Sequence, residues 1–376
     1  MELGNLAPFF PMRSWSIPIG RLFGVELRLH LTFLFLLMFV WFAQSATKGP
    51  ALAGRGLALV GLVFGSVVLH ELAHALVAIR SGVKVRGIVL LPIGGITFME
   101  NDGPHTGKSA TRDIRISAAG PLINLGIGLG SAAACVLLLH MNLLGRPLIS
   151  PENLAKSFVW SNLFLGLFNL LPAYPMDGGR VLRSVFAQRM DYVQATRKAV
   201  TIGQGFAALF MVAGIWSPWL MMIGVFVFIG AQIEDRTAIF QSVLETVRIE
   251  EVMLTDFATL SSADTLEDAL HKAVHSLQDE FPVIRGSDLV GIISRQRILD
   301  ALRSGNGYVQ GVMSRGFQIA QKTESLAVIF RRIGSKGLSL VPVVDGGRLV
   351  GIVTMQNLTH SMALLAESRK LQRAEE

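Results

Sequence analysis

The chain has 376 residues, 51% of them hydrophobic and only 16% charged, with a mean hydropathy of +0.50. Soluble domains carry about a quarter charged residues, so this balance points to a membrane protein. The formal charge of +7 does not call for nucleic acid, which is not expected as a partner, and the single cysteine, Cys135, excludes a disulfide framework.

Ser16 to His30 partly alternates apolar and polar residues, which predicts short strands at a membrane surface. His30 reads as an interfacial residue. Six apolar spans follow, at about 30–46, 56–79, 115–140, 157–172, 199–215 and 218–233. The first, from Leu31 to Ala43, has no small-residue cleavage pattern and is expected to stay in place. The fourth runs into Leu171-Pro172-Ala173-Tyr174-Pro175, where two prolines stop a regular helix. Irregular backbone at membrane depth survives only inside protein or along a wet cavity. Trp216-Ser217-Pro218 predicts a tight hairpin between the last two spans.

Basic residues set the orientation. Arg13, Arg21, Arg28, Arg80, Lys84, Arg86, Lys108, Arg112, Arg115, Arg180, Arg183, Arg189, Arg197 and Lys198 fall on one side, and Lys48, Arg55, Arg146 and Lys156 on the other. That asymmetry predicts a multi-pass protein of the cell membrane with both termini in the cytoplasm.

From about Gln241 the composition becomes that of a soluble α/β domain with an internal repeat at a spacing of 60. Val252-Met253 matches Val312-Met313, Pro282-Val283-Ile284 matches Pro342-Val343-Val344, and Leu289-Val290-Gly291-Ile292 matches Leu349-Val350-Gly351-Ile352. Two copies of one module, about 248–304 and 308–365, should pack as a pseudo-symmetric pair. The expected division is a membrane domain over 1–240, a repeat domain over 241–366, and a charged, frayed tail over 367–376.

The chemistry centres on His70-Glu71-Leu72-Ala73-His74, an HExxH pattern inside the second span. On a helix the two imidazoles share one face and can reach one zinc, with Glu71 placed as a general base. His74 lies about 8 Å and His70 about 14 Å below the inner surface at about 1.5 Å per residue. Two histidines do not complete a catalytic zinc site. Asp177, at the cytoplasmic end of the fourth span, is the candidate third ligand; capping of the next helix, from near Gly179, is the alternative.

HExxH together with Asn169-x-x-Pro172-x-x-x-x-Asp177-Gly178 resembles the site-2 protease family of intramembrane zinc metalloproteases. Gly120-Pro121-Leu122-Ile123-Asn124 and Leu91-Pro92-Ile93-Gly94-Gly95 also match recurring family segments, and the repeats resemble a CBS pair found in one subgroup. The resemblance implies a polytopic α-helical membrane protein of six transmembrane helices with a membrane-edge β-hairpin, followed by a soluble α/β tandem CBS module. It implies one zinc on His70, His74 and Asp177, Glu71 as the base, and Asn169 as a hydrogen-bond partner of the substrate or oxyanion. Asn124 reads as a hydrogen bond between helices. The substrate would be a single-span membrane protein cut near the cytoplasmic face, within membrane lipid.

Residues 85–100 read as a hairpin of apolar strands whose edge, near Gly94 and Gly95, could pair with an extended substrate; otherwise the two glycines form a turn. CBS pairs bind adenosine nucleotides through Gly-x-x-Ser/Thr-x-x-Asp. Here Ser294 and Thr354 are kept, but Arg297 and Asn357 replace both carboxylates. The pair could instead bind phosphate, form a homodimer or regulate entry. The alternative function is a cation transporter or channel gated by the CBS pair, against which Glu71 argues, since transport does not need a carboxylate beside His70.

Overall fold

The alternating N-terminal stretch folds as two strands, β1 (Ser16–Leu22) and β2 (Val25–His30). In this computed structural model the described residues are 15–100, 107–305, 307–336 and 338–372. Residues 1–14 and the end of the tail, 373–376, lie outside them. The chain divides into two compact units, Met1–Ala238 and Ile239–Glu376.

In the first unit, each apolar span is helical: α1 (Thr32–Lys48), α2 (Pro50–Arg80), α3 (Gly107–Leu137), α4 (Leu154–Asn169), α6 (Tyr192–Ala213) and α7 (Pro218–Thr246). Between α4 and α6 lies a short helix, α5 (Asp177–Ala187). Pro50 at the first helical turn, where no backbone N–H is needed, starts α2. Among the described residues three helices, over Leu52–Arg80, Ser109–Leu137 and Pro218–Thr246, are long and apolar enough to cross a membrane. α4, at 16 residues, falls short of the roughly 20 that a crossing takes.

β3 (Lys84–Leu91) and β4 (Gly94–Glu100) form an antiparallel hairpin, and β2 joins β3 in parallel, giving the sheet order β1-β2-β3-β4. Its apolar face, with Val25, Leu27, Ile88 and Leu90, packs on Val67, Leu72 and Ala75 of α2. The sheet therefore lies along the helix that carries the HExxH pattern, with β4 at its edge.

The second unit is built twice. β5 (Leu260–Ser261), α8 (Leu266–Val274), β6 (Glu280–Arg285), β7 (Asp288–Ser294) and α9 (Arg295–Ser304) form the first copy. After α10 (Val309–Val312), β8 (Ala320–Gln321), α11 (Leu326–Lys336), β9 (Leu340–Asp345), β10 (Arg348–Thr354) and α12 (Met355–Gln372) form the second. Leu260 pairs with Val283 as Ala320 pairs with Val343, the same register 60 residues on. The copies interlock: Leu254 of the first bridges Ile352 of the second, and Ser314 of the second bridges Ile292 of the first. α12 carries the charged stretch from Glu367 as helix through Gln372, where a frayed tail was expected.

Candidate metal centre

His70 and His74 stand one turn apart on α2 and face α3. At the crossing α3 has Gly120, where a Cβ would fall on His74 Nε2 and lie 2.7 Å from His70 Nε2. Only glycine leaves room for two rings between these helices. α4 stops at Asn169, residues 170–176 turn, and Asp177 opens α5 as its first helical residue, with Met176 at the N-cap position. A Cβ at Gly178 would strike the carbonyls of Leu170 and Leu171, and one at Gly179 would sit 2.8 Å from the Tyr174 nitrogen. These two glycines let α5 begin pressed against the turn.

The result is a tight cluster. Asp177 Oδ2 lies 3.0 Å from His70 Nε2 and 3.1 Å from His74 Nε2, and the two Nε2 atoms are 3.1 Å apart. Among the described residues no other group of three His, Cys, Asp or Glu ligand atoms converges in this way. Both rings are buried and Asp177 is half-buried.

The outer nitrogens settle which tautomer each ring takes when neutral. His74 Nδ1 meets the Ile116 carbonyl at 2.6 Å, and a carbonyl can only accept, so the proton is on Nδ1. His70 Nδ1 meets Asn124 Oδ1 at 3.0 Å. Asn124 is oriented in turn, because its Nδ2 donates to Asn162 Oδ1 at 3.0 Å and faces the Ser66 carbonyl. Asn162 Nδ2 donates to Ser66 Oγ at 2.9 Å. In the neutral tautomers that these partners select, both Nε2 atoms offer lone pairs, and a carboxylate oxygen offers a third. Three acceptors this close, buried and without a donor among them, fit a cation between them. Two imidazoles and a carboxylate suit zinc, whose bonds of about 2.0–2.1 Å place tetrahedral ligand atoms about 3.3 Å apart.

Glu71 lies against β4. Its Oε2 accepts from Thr97 Oγ1 at 2.5 Å. A Cβ on Gly95 would lie 2.9 Å from Glu71 Cδ and 3.0 Å from Oε1. Residues 95 and 97 share a face of the strand, so β4 presses on Glu71 with no side chain at one position and a hydroxyl at the other. A cavity of about 70 Å³ opens here, lined by Glu71, His74, Gly95, Thr97, Asp113, Asp177 and Arg180. That is room for a few waters.

Other expected residues fall elsewhere. Asn169 does not reach the cluster: it ends α4, and its Nδ2 donates at 2.9 Å to the Leu165 carbonyl one turn back. For Gly94 and Gly95 it is the alternative, the hairpin turn, that is not found. They pair with Leu91 and Leu90 inside the strands, and the turn is at Pro92–Ile93. Ser294 and Thr354 oxygens accept from the backbone nitrogens of Arg297 and Asn357, and Asn357 Nδ2 donates at 2.6 Å to the Val252 carbonyl. Thr354 and Asn357 also line a cleft of about 1130 Å³ in the second unit.

The helix-to-helix role expected of Asn124 is present, but the same amide also orients His70. Asn162 and Ser66 escaped notice, although an amide inside an apolar span is itself a signal. Nothing local marks Thr97, and although Gly120 opens the segment through Asn124 that carries the family resemblance, its place against the two rings depends on partners distant in sequence.

Residues 58–146 and 146–214 match Peptidase family M50, and residues 249–304 and 309–364 match the CBS domain. The zinc metalloprotease MJ0392 of Methanocaldococcus jannaschii is 30% identical over 365 residues, covering 95% of this chain and 99% of the relative. Rip3 of Mycobacterium tuberculosis is 29% identical, covering 90% of this chain and 91% of the relative. A solved site-2 protease from Methanocaldococcus jannaschii is 33% identical over 59% of this chain and 95% of its own, with a TM-score of 0.42. A CBS-gated cation transporter is not favoured by these matches. A full-length zinc metalloprotease relative, the peptidase matches over the first unit and the paired CBS matches over the second lead to one assignment: the chain belongs to peptidase family M50, the site-2 proteases, as a zinc metalloendopeptidase with tandem CBS domains.

Proposed function

We propose that the enzyme hydrolyses a peptide bond within or near the transmembrane segment of single-span membrane proteins, close to the cytoplasmic face. His70, His74 and Asp177 hold one zinc. The observation that carries this reading is the convergence of three lone-pair atoms, two of them on buried rings, beside a carboxylate that one hydroxyl holds. A zinc held there would lend Lewis acidity to a water and to the scissile carbonyl. Glu71 takes the water proton on Oε1, since Oε2 is held by Thr97, and returns it to the leaving amine. β4 has β3 on one side in the sheet order, and its other edge can take an extended substrate strand next to Gly95, with Glu71 directly beneath. A helical substrate must unwind first, because its carbonyls are engaged in its own hydrogen bonds.

Six spans, with both termini in the cytoplasm, agree with the basic-residue asymmetry and with exposed Phe35, Phe39, Trp216 and Trp219. The CBS pair is proposed to regulate the protease or to dimerise it. Ser294 and Thr354 already cap helices, so a nucleotide would rely on the cleft at Thr354 and Asn357 or on Arg297. Calorimetric titration of the full chain with ATP tests this, and absence of heat removes ligand sensing. For the protease, Glu71→Gln should abolish cleavage of a single-span substrate while one zinc per chain is retained, and Asp177→Ala should lose the zinc. Continued cleavage by Glu71→Gln would refute the base assignment.

A further inference from the structure

α5 is 11 residues long, and its N-cap residue, Met176, makes no side-chain cap hydrogen bond. A helix that short is held by what surrounds it: α5 packs on α3 and α6, and its first residue is Asp177. Packing against neighbours sets where it lies; a polar joint can set its position along its axis. Six residues along, about 9 Å by the ~1.5 Å rise, Arg183 is 4% exposed. Its Nη1 donates to Tyr192 Oη at 2.8 Å and pairs with Glu234 Oε1 at 3.1 Å, and its guanidinium lies 4.9 Å from the Tyr192 ring centre. Tyr192 opens α6 and Glu234 belongs to α7. One buried cation thus joins three helices.

A buried ion pair is a weak source of net stability, because apolar packing of the same volume does as well. Its distinctive effect is to fix geometry: a planar guanidinium between a phenol, an aromatic face and a carboxylate tolerates little sliding. Arg183 also borders the cavity at the metal centre. Displacement of α5 along its axis would carry Asp177 with it, while His70 and His74, on α2, would stay.

We propose that Arg183 and Glu234 are positioning residues for the metal centre: their ion pair locks α5 against α7, and so holds the Asp177 carboxylate at the two imidazoles. The inference rests on the metal-centre reading above. The histidines have their own supports in Asn124 and Ile116. The Arg183–Glu234 joint is the corresponding support for the third ligand, acting through the helix.

The test is zinc affinity of the full-length protein in detergent, measured by competition with a chromogenic chelator, beside the melting temperature of the zinc-free form. Glu234→Gln should weaken zinc binding tenfold or more, and Arg183→Lys, which keeps the charge pair, less than threefold. The paired variant Arg183→Met/Glu234→Leu removes the buried cation together with its partner charge and should fold. It should keep the zinc-free melting temperature within a few degrees and still bind zinc at least tenfold more weakly. A folded paired variant with zinc affinity within twofold of wild type overturns the proposal. So does a loss of affinity that merely follows a loss of zinc-free stability. Asp177→Ala separates the two readings. If it binds zinc as wild type does, the metal-centre reading fails; if it loses zinc while the joint variants do not, only the positioning role fails.

Discussion

Gly120→Ala should abolish zinc binding without unfolding the protein. The added methyl would lie 2.7 Å from His70 Nε2 and closer still to His74 Nε2. Ordinary contact is about 3.5 Å, so the rings or the helices must yield by at least roughly 0.8 Å, and by more at His74. Metal–ligand distances tolerate only about 0.2 Å, so zinc affinity should fall at least ~100-fold, equivalent to about 2.7 kcal/mol. The packing strain itself costs about 1–3 kcal/mol, which a folded domain can survive. A control lies on the same helix: a Cβ at Gly126 meets nothing within 4 Å. Gly126→Ala should therefore be neutral or stabilise by up to about 1 kcal/mol. The assay is zinc per chain and chelator competition on both purified variants, with circular dichroism to follow folding. A Gly120→Ala protein that holds one zinc with unchanged affinity would show that the two imidazoles do not meet a metal at this crossing.

Two further outcomes are expected. Thr97→Val removes the hydroxyl that holds Glu71 Oε2 and should lower kcat about tenfold while zinc content stays at wild-type level, a loss in the range of a weakened general base; Thr97→Ser should restore most of it, and a Val variant with full kcat would rule the contact out. In the second unit, burial pushes the Asp264 carboxyl up, but hydrogen bonds from Lys272 and from the Ser261 backbone more than offset it, leaving its pKa below the usual value. The lowered pKa contributes stability that is present above the ordinary carboxylate range and lost as pH falls through and below it. Calorimetric melts from pH 6 to pH 3 should show this acid-side loss shrink in Asp264→Asn; an identical slope in the variant would refute the assignment.

What the sequence made legible was local. His70 and His74 are one helical turn apart, so HExxH could be read from spacing alone, and the CBS repeat could be read from two aligned copies. Pro172 and Pro175 announced the break after α4. Asp177 was a different matter: spacing left ligand and helix cap equally open, and only the turn over 170–176 brings its Oδ2 to the imidazoles. The parallel pairing of β2 with β3 was hidden because α1 and α2 intervene. For Gly94 and Gly95 a turn stood as the alternative to an edge strand, because glycine favours turns, yet Gly95 is needed inside the strand, where any side chain would collide with Glu71. The network of Asn124, Asn162 and Ser66 joins three helices, and no window along one of them could reveal it.

The last long helix has two owners. Its early turns, with Trp219 and Phe226 exposed, suit lipid. Its final turns place Val243 and Leu244 in one apolar cluster with Leu326, Ile329 and Val353. The CBS match begins only at residue 249, so a soluble fragment cut there would start without Val243, Leu244 and Val247 and would leave a hole in its own interior. An excised module should instead begin near Phe240, which packs on the same cluster, and should carry away the end of the helix that anchors it.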